Sequence, residues 1–144
     1  MNQSNRIPVV LLLLRLSVFL VMFMWTIDKF VRPEHATSIF EHFYFFKGVG
    51  AAVVYALATA ELLLLIAFLL GLARRFTYGL VFLLHALSTF SSYSQYLHAF
   101  EKVNLLFFAA WPMLAACFAL YYLRDLDTLW TIGGTKALPP AATE

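Results

Sequence analysis

Charge is what this chain has least of. Asp, Glu, Lys and Arg make up 12% of its 144 residues, while 62% are hydrophobic. A water-soluble domain carries about 25% charged and about 45–50% apolar residues. A single domain of this length has no interior large enough to hide the excess, so a soluble globular fold is excluded. The net charge is only +2 and the ten basic residues are scattered, so nucleic acid is not an expected partner. Cysteine is nearly absent: Cys117 stands alone, without the means to form an internal disulfide, a C-x-x-C redox pair or a thiolate metal site. In the run ACFAL it reads as an inert buried thiol. Haem, iron–sulfur, flavin and nicotinamide motifs are all missing.

What the chain does have is long apolar runs. About 20 predominantly apolar residues span a bilayer as a helix, and four stretches qualify, residues 7–27, 49–70, 76–96 and 104–123. The first is too long for the h-region of a signal peptide and no small-x-small cleavage site follows, so it is read as a retained helix. The second and third are separated only by GLARR, and the third and fourth only by the segment around HAFEK. Links this short force antiparallel neighbours. The expected fold is therefore an all-α integral membrane protein, a single domain built as an antiparallel four-transmembrane-helix bundle. A frayed tail is expected over residues 131–144.

Orientation follows from the basic residues. Arg6, Arg74, Arg75, Arg124 and Lys136 fall on one side, and Lys29, Arg32, Lys47 and Lys102 on the other. The Arg74–Arg75 pair in a very short loop places that loop, and both termini, in the cytoplasm. The first outer loop is long enough to hold a short amphipathic helix. Pro33 can open it, and Ala36, Ile39, Phe40 and Phe43 recur at helical spacing opposite Glu34, Ser38, Glu41 and His42. Such a helix would lie on the outer leaflet.

Ionisable groups inside spanning helices each need a reason. By residue count, Arg15, Glu61 and His85 all fall about 12–14 Å from the cytoplasmic boundary, in one layer. Arg15 and Glu61 are expected to pair, either to fix helix register or, with His85, to form an intramembrane polar site for a proton, an anion or a quinone head group. Ser88, Thr89, Ser92, Gln95 and Tyr96 share a helix face with His85. That stripe could line a water-accessible path from the outer surface, or serve only interhelical hydrogen bonding. Pro112 is expected to bend the fourth helix and free a carbonyl. At the outer rim His35, His42 and His98 stand among Asp28, Glu34, Glu41 and Glu101. A solvated rim is the preferred reading there, and those three histidines are the first ligands to test for a metal.

At these residues the chain resembles the DoxX-like family of small four-helix membrane proteins. The resemblance rests on LLLLRLSVF around Arg15, on IDKF with Asp28 and Lys29, and on AELLLLIAFLLGLARR, which carries Glu61 and Gly71. It implies a bacterial inner-membrane location and association with a respiratory or redox complex, with quinone as the one cofactor in prospect. An assisting or structural subunit is expected rather than a lone catalyst, which leaves an enzymatic role open. The alternative is a small proton-coupled carrier or channel acting as an oligomer. The partners expected are the lipid bilayer and either other membrane subunits or further copies of the chain.

Overall fold

The computed structural model describes residues 3–44, 48 and 50–132, with side chains from Arg6 onward. The described residues are helical, with no strand among them. The elements are α1 (Gln3–Val31), α2 (Pro33–Tyr44), α3 (Ala51–Leu69), α4 (Arg74–Ser91), the short α5 (Tyr93–Leu97) and α6 (Ala110–Tyr122). A 3-10 segment, Asn104–Ala109, leads into α6, and a single 3-10 turn, Arg124–Leu126, follows it. Val49, Lys47, Lys136 and residues 133–144 of the expected tail lie outside the described residues.

Three helical stretches are long and apolar enough to cross a membrane: Arg6–Val31, Ala51–Leu69 and Asn104–Tyr122. The third crosses from the 3-10 segment into α6. The helix α4 is not among them, because two arginines and a line of Thr, His and Ser residues dilute its leucines. It packs on α3 and α6, and α1 packs on the same two helices, so the four surround one core.

Each helix offers one inward stripe at spacings of three and four. On α1 the stripe is Leu11, Arg15, Val18, Met22 and Thr26; on α4 it is Tyr78, Val81, His85 and Thr89; all are buried. On α3 it runs Val54, Ala58, Leu65 and Phe68, with the half-buried Glu61 between. Leu11, Val18, Met22, Leu65, Phe68, Tyr78, Val81, Cys117 and Leu120 make up the apolar centre. Phe68 meets the Tyr78 ring edge-on at 4.9 Å. Cys117 is buried there, as its apolar neighbours imply.

The boundaries differ from the sequence reading at three places. The third stretch does not run unbroken to Tyr96: α4 stops at Ser91, and α5 starts after a break at Ser92. Ser91 and Ser92 both donate to the Ser88 carbonyl, at 2.9 and 3.0 Å, and such local bonds compete with the helix ladder. The fourth stretch opens as a 3-10 segment. Pro112, three residues inside α6, has no N–H and crowds the carbonyl four residues back, so regular α-helix becomes established only around it. At the end of the chain Thr131 and Ile132, assigned to a frayed tail, are held: the Ile132 N–H donates to the Leu70 carbonyl at 2.8 Å.

The expected amphipathic helix is α2. Its predicted apolar residues are all buried or half-buried and its predicted polar ones exposed. That apolar face lies on the protein, against α1 and α3, and Phe43 stacks on Phe107 at 6.0 Å. The protein, more than lipid, covers the face.

The α3–α4 turn is set by Gly71. Its φ of +64° suits the residue after a helix C-cap. The Leu72 N–H reaches the Ala67 carbonyl at 2.9 Å, and the Gly71 N–H reaches the Phe68 carbonyl at 3.0 Å, the paired bonds of a Schellman ending. A Cβ at Gly71 would stand 2.6 Å from Thr131 Cγ2 and 3.0 Å from Arg15 Nη1. Gly71→Val is therefore expected to cost about 2–4 kcal/mol, combining left-handed backbone strain with displacement of the Thr131 backbone. Detergent-resistance or SDS-unfolding curves of the purified protein check it.

Candidate functional site

Arg15 enters the bundle from the inward stripe of α1 and is fully buried. Its acid is not Glu61, and the expected pairing is corrected here. Nη1 lies 3.4 Å from Oδ2 of Asp127, also fully buried, and donates to the Tyr78 hydroxyl at 3.2 Å. The Tyr78 hydroxyl in turn donates to Asp127 Oδ2 at 2.7 Å. Nη2 donates to the carbonyls of Leu129 and Trp130, the latter at 3.3 Å. The short link after α6 thus folds back under α1 and α4 and inserts a carboxylate between them. Trp130 sits in the left-handed region, φ +52°, which a bulky residue adopts only at a cost. Arg74 fastens the same corner: it donates to the Gly71 carbonyl at 3.3 Å, the Arg124 carbonyl at 3.0 Å and the Thr131 hydroxyl at 3.0 Å.

Glu61 has a different partner, the ammonium of Lys29 near the end of α1, and both side chains are half-buried. Lys29 follows Arg15 by fourteen residues, about 21 Å of helix rise, and its flexible stem brings the ammonium back to α3. The single charged layer read from the sequence therefore does not form. Counting residues from the inner helix ends misplaced it because those ends are not level: Arg15 reaches the turn at Gly71, where α3 has already ended, and so lies inward of Glu61.

His85 joins neither pair. It lies seven residues from Tyr78, about 10 Å along α4. Its ring stacks on Trp25 of α1 at 5.9 Å, and Nε2 lies 3.1 Å from the Ala110 carbonyl of α6 and 3.4 Å from the Thr89 hydroxyl. Beyond it the predicted stripe turns largely onto its own backbone. Thr89 donates to the His85 carbonyl at 2.8 Å, Ser92 to the Ser88 carbonyl, and the Tyr96 hydroxyl to the Thr89 carbonyl at 3.0 Å. Thr89 and Ser92 are buried; Ser88, Gln95 and Tyr96 are half-buried.

The outer-rim histidines do not converge. His35 Nδ1 meets Asp28 Oδ2 at 2.6 Å, His42 sits edge-on to Phe43, and His98 Nδ1 lies 3.0 Å from the Ser94 carbonyl. Among the described residues no group of three or more His, Cys, Asp or Glu is placed to hold a metal ion. Asp28 also accepts from Arg32 Nε at 2.6 Å and so ties the end of α1 to the start of α2.

The residues that sequence reasoning missed are Asp127 and Tyr78. A signal for Asp127 was present: an arginine held in an apolar stripe needs a carboxylate, and Asp125 and Asp127 follow the last helix at the same end of the bundle. Tyr78 was marked only by its place on the α4 stripe. No protein-family model, curated protein or solved structure matches the chain.

Removing one partner of a buried ion pair costs about 3–5 kcal/mol, whereas replacing both with apolar residues of similar volume is close to neutral. Arg15→Met and Asp127→Leu are each expected to lose that much stability, and the double variant to recover most of it. SDS-unfolding midpoints of the four proteins form the double-mutant cycle that measures the coupling. The same cycle on Lys29 and Glu61, whose side chains are partly exposed, should return a smaller coupling.

Proposed function

We propose that the chain crosses the membrane four times as an antiparallel bundle, both termini cytoplasmic, and serves as an assisting or structural subunit of a quinone-linked redox assembly of a bacterial inner membrane. The observation that carries the reading is the apolar surface left uncovered. Only 22%, 22% and 11% of an 18-residue apolar window in each of the three stretches are buried inside the protein, so lipid or partner helices must cover the rest. On α1 alone Val10, Leu13, Leu20 and Met24 are all more than half exposed. The fourth crossing is α4, whose polar residues turn inward and whose outward ones include Leu80, Leu83, Leu87 and Phe90.

The redox partner rests on the DoxX-like resemblance. Most of the residues that carry it are joined in space: Lys29 meets Glu61, and Gly71 leaves the room into which Arg15 Nη1 reaches. Those contacts hold helices together, which suits a supporting subunit. The chemistry of electron transfer would be the partner's.

Solubilisation in mild detergent, followed by identification of co-purifying proteins and quinones, tests the reading. Stoichiometric recovery with oxidase or dehydrogenase subunits is the expected result. Recovery as an oligomer of this chain alone, free of quinone, overturns it in favour of the small proton-coupled carrier.

A further inference from the structure

Four buried side-chain atoms lack a hydrogen-bond partner among the described residues: Arg15 Nε, Asp127 Oδ1, His85 Nδ1 and Gln95 Oε1. The first two belong to the Arg15–Asp127 pair beside Tyr78, and the other two lie further out, on α4 and α5. Buried polar atoms of this kind are normally satisfied by ordered water. At the outer end, Gln95 lines an open cavity of about 320 Å³ together with Glu41, His42, Ser91, Tyr93 and Ser94. From that cavity the buried side of the helix offers Ser92, then Thr89 with the Tyr96 hydroxyl on its carbonyl, then His85. Gln95 and His85 are ten residues apart, about 15 Å of rise.

Inward of His85 the line stops. Residues 79–84 read GLVFLL, and Val81 is buried in the apolar centre with Leu65, Phe68, Cys117 and Leu120. The next polar groups are Tyr78 and the Arg15–Asp127 pair, two turns inward.

We propose that the file Gln95–Ser92–Thr89–His85 is a one-sided proton-access path, open to the outer cavity and ending at His85. The inference rests on the membrane reading above and adds a function to it. Nε2 faces the Ala110 carbonyl and therefore carries the hydrogen of the neutral ring, which leaves the Nδ1 lone pair free. The Thr89 hydroxyl stands at Nε2 and donates to the His85 carbonyl, so it lines the path without relaying the proton; a hydronium ion entering from the cavity passes its proton through water to Nδ1. An N–H bond forms, imidazole becomes imidazolium, and water is released; no electron moves.

The groups facing His85 are uncharged: Trp25 from α1, the Ala110 carbonyl from α6 and Thr89 from its own helix. The nearest ion pairs are Lys29–Glu61, about one turn beyond Trp25, and Arg15–Asp127 two turns inward; Cys117, also titratable, lies two turns inward of Ala110 on α6. The ring therefore takes up its charge without a counter-ion in contact, and its protonation must follow the pH of the side that supplies it.

Trp25 is a built-in reporter, because an imidazolium stacked on indole quenches its fluorescence. The full chain, with Trp111→Phe and Trp130→Phe, is reconstituted in phospholipid vesicles and its integration checked by flotation and resistance to carbonate extraction. A stopped-flow drop from about pH 8 to about pH 4, ending well below the ordinary imidazole range, should quench Trp25 within the mixing experiment. His85→Gln should abolish the response. Gln95→Leu, on the cavity wall, should slow it about tenfold, the equivalent of one lost hydrogen-bonded step, while Arg75→Gln at the opposite end leaves it unchanged. An integral protein that shows no quenching, quenching that survives His85→Gln, or slowing by Arg75→Gln rather than Gln95→Leu overturns the path alone. Failure to float or to resist extraction overturns the membrane reading and the path with it.

Discussion

A guanidinium at the centre of an apolar helix bundle must be neutralised, and the structure is arranged around that requirement. Arg15 sits in the stripe that α1 turns toward its neighbours, where apolar residues above and below it leave no route to water. Its carboxylate comes from Asp127, more than a hundred residues later, and Tyr78 bridges the two. One polar knot thereby fixes α1, α4 and the chain that leaves α6. The energetic weight lies less in the attraction between the charges than in the penalty for leaving either one alone.

Several local features follow from the knot. Gly71 has to lack a side chain because Arg15 Nη1 and Thr131 occupy the space a Cβ would need. Trp130 takes a left-handed conformation while its carbonyl accepts from Arg15. Arg74, the first residue of α4, holds the returning segment through Thr131 and the carbonyl after α6. The other end of the bundle is tied differently, by the half-buried Lys29–Glu61 pair and by Asp28 bridging Arg32 and His35 across the α1–α2 junction. Two ends with separate ion pairs leave the middle of α4 free for His85, whose contacts are an indole, a carbonyl and a hydroxyl.

The distribution of polar groups also divides the helices by task. The apolar surface of α1, α3 and the stretch through α6 faces outward, as lipid or partner helices require. The helix α4 carries a polar line inward, and its composition keeps it out of the three stretches apolar enough to cross a membrane. Its hydroxyls mostly bond to their own backbone, the form in which serine and threonine are tolerated inside apolar surroundings. The atoms that remain unmatched are those of the longer side chains.

Local composition and periodicity were enough to determine the all-helical class, three of the four long apolar stretches, which residues form the apolar face of α2 (though not that the protein covers it), the turn at Gly71 and the need to neutralise Arg15. Each of these depends on neighbours within one or two helical turns, so the sequence records it directly. Which acid answers Arg15 was decided only in three dimensions. Glu61 was the carboxylate at matching depth by residue count, but Arg15 lies level with the Gly71 turn, beyond the end of α3, and the reach of Lys29 gave Glu61 another partner. Asp127 came from a segment that reads as an exit from the last helix, and only the fold returns it to α1. A pairing across more than a hundred residues leaves no periodic trace. The separation of His85 from both ion pairs was hidden for the same reason: it depends on the register of α4 against α1, which packing sets and residue counting does not.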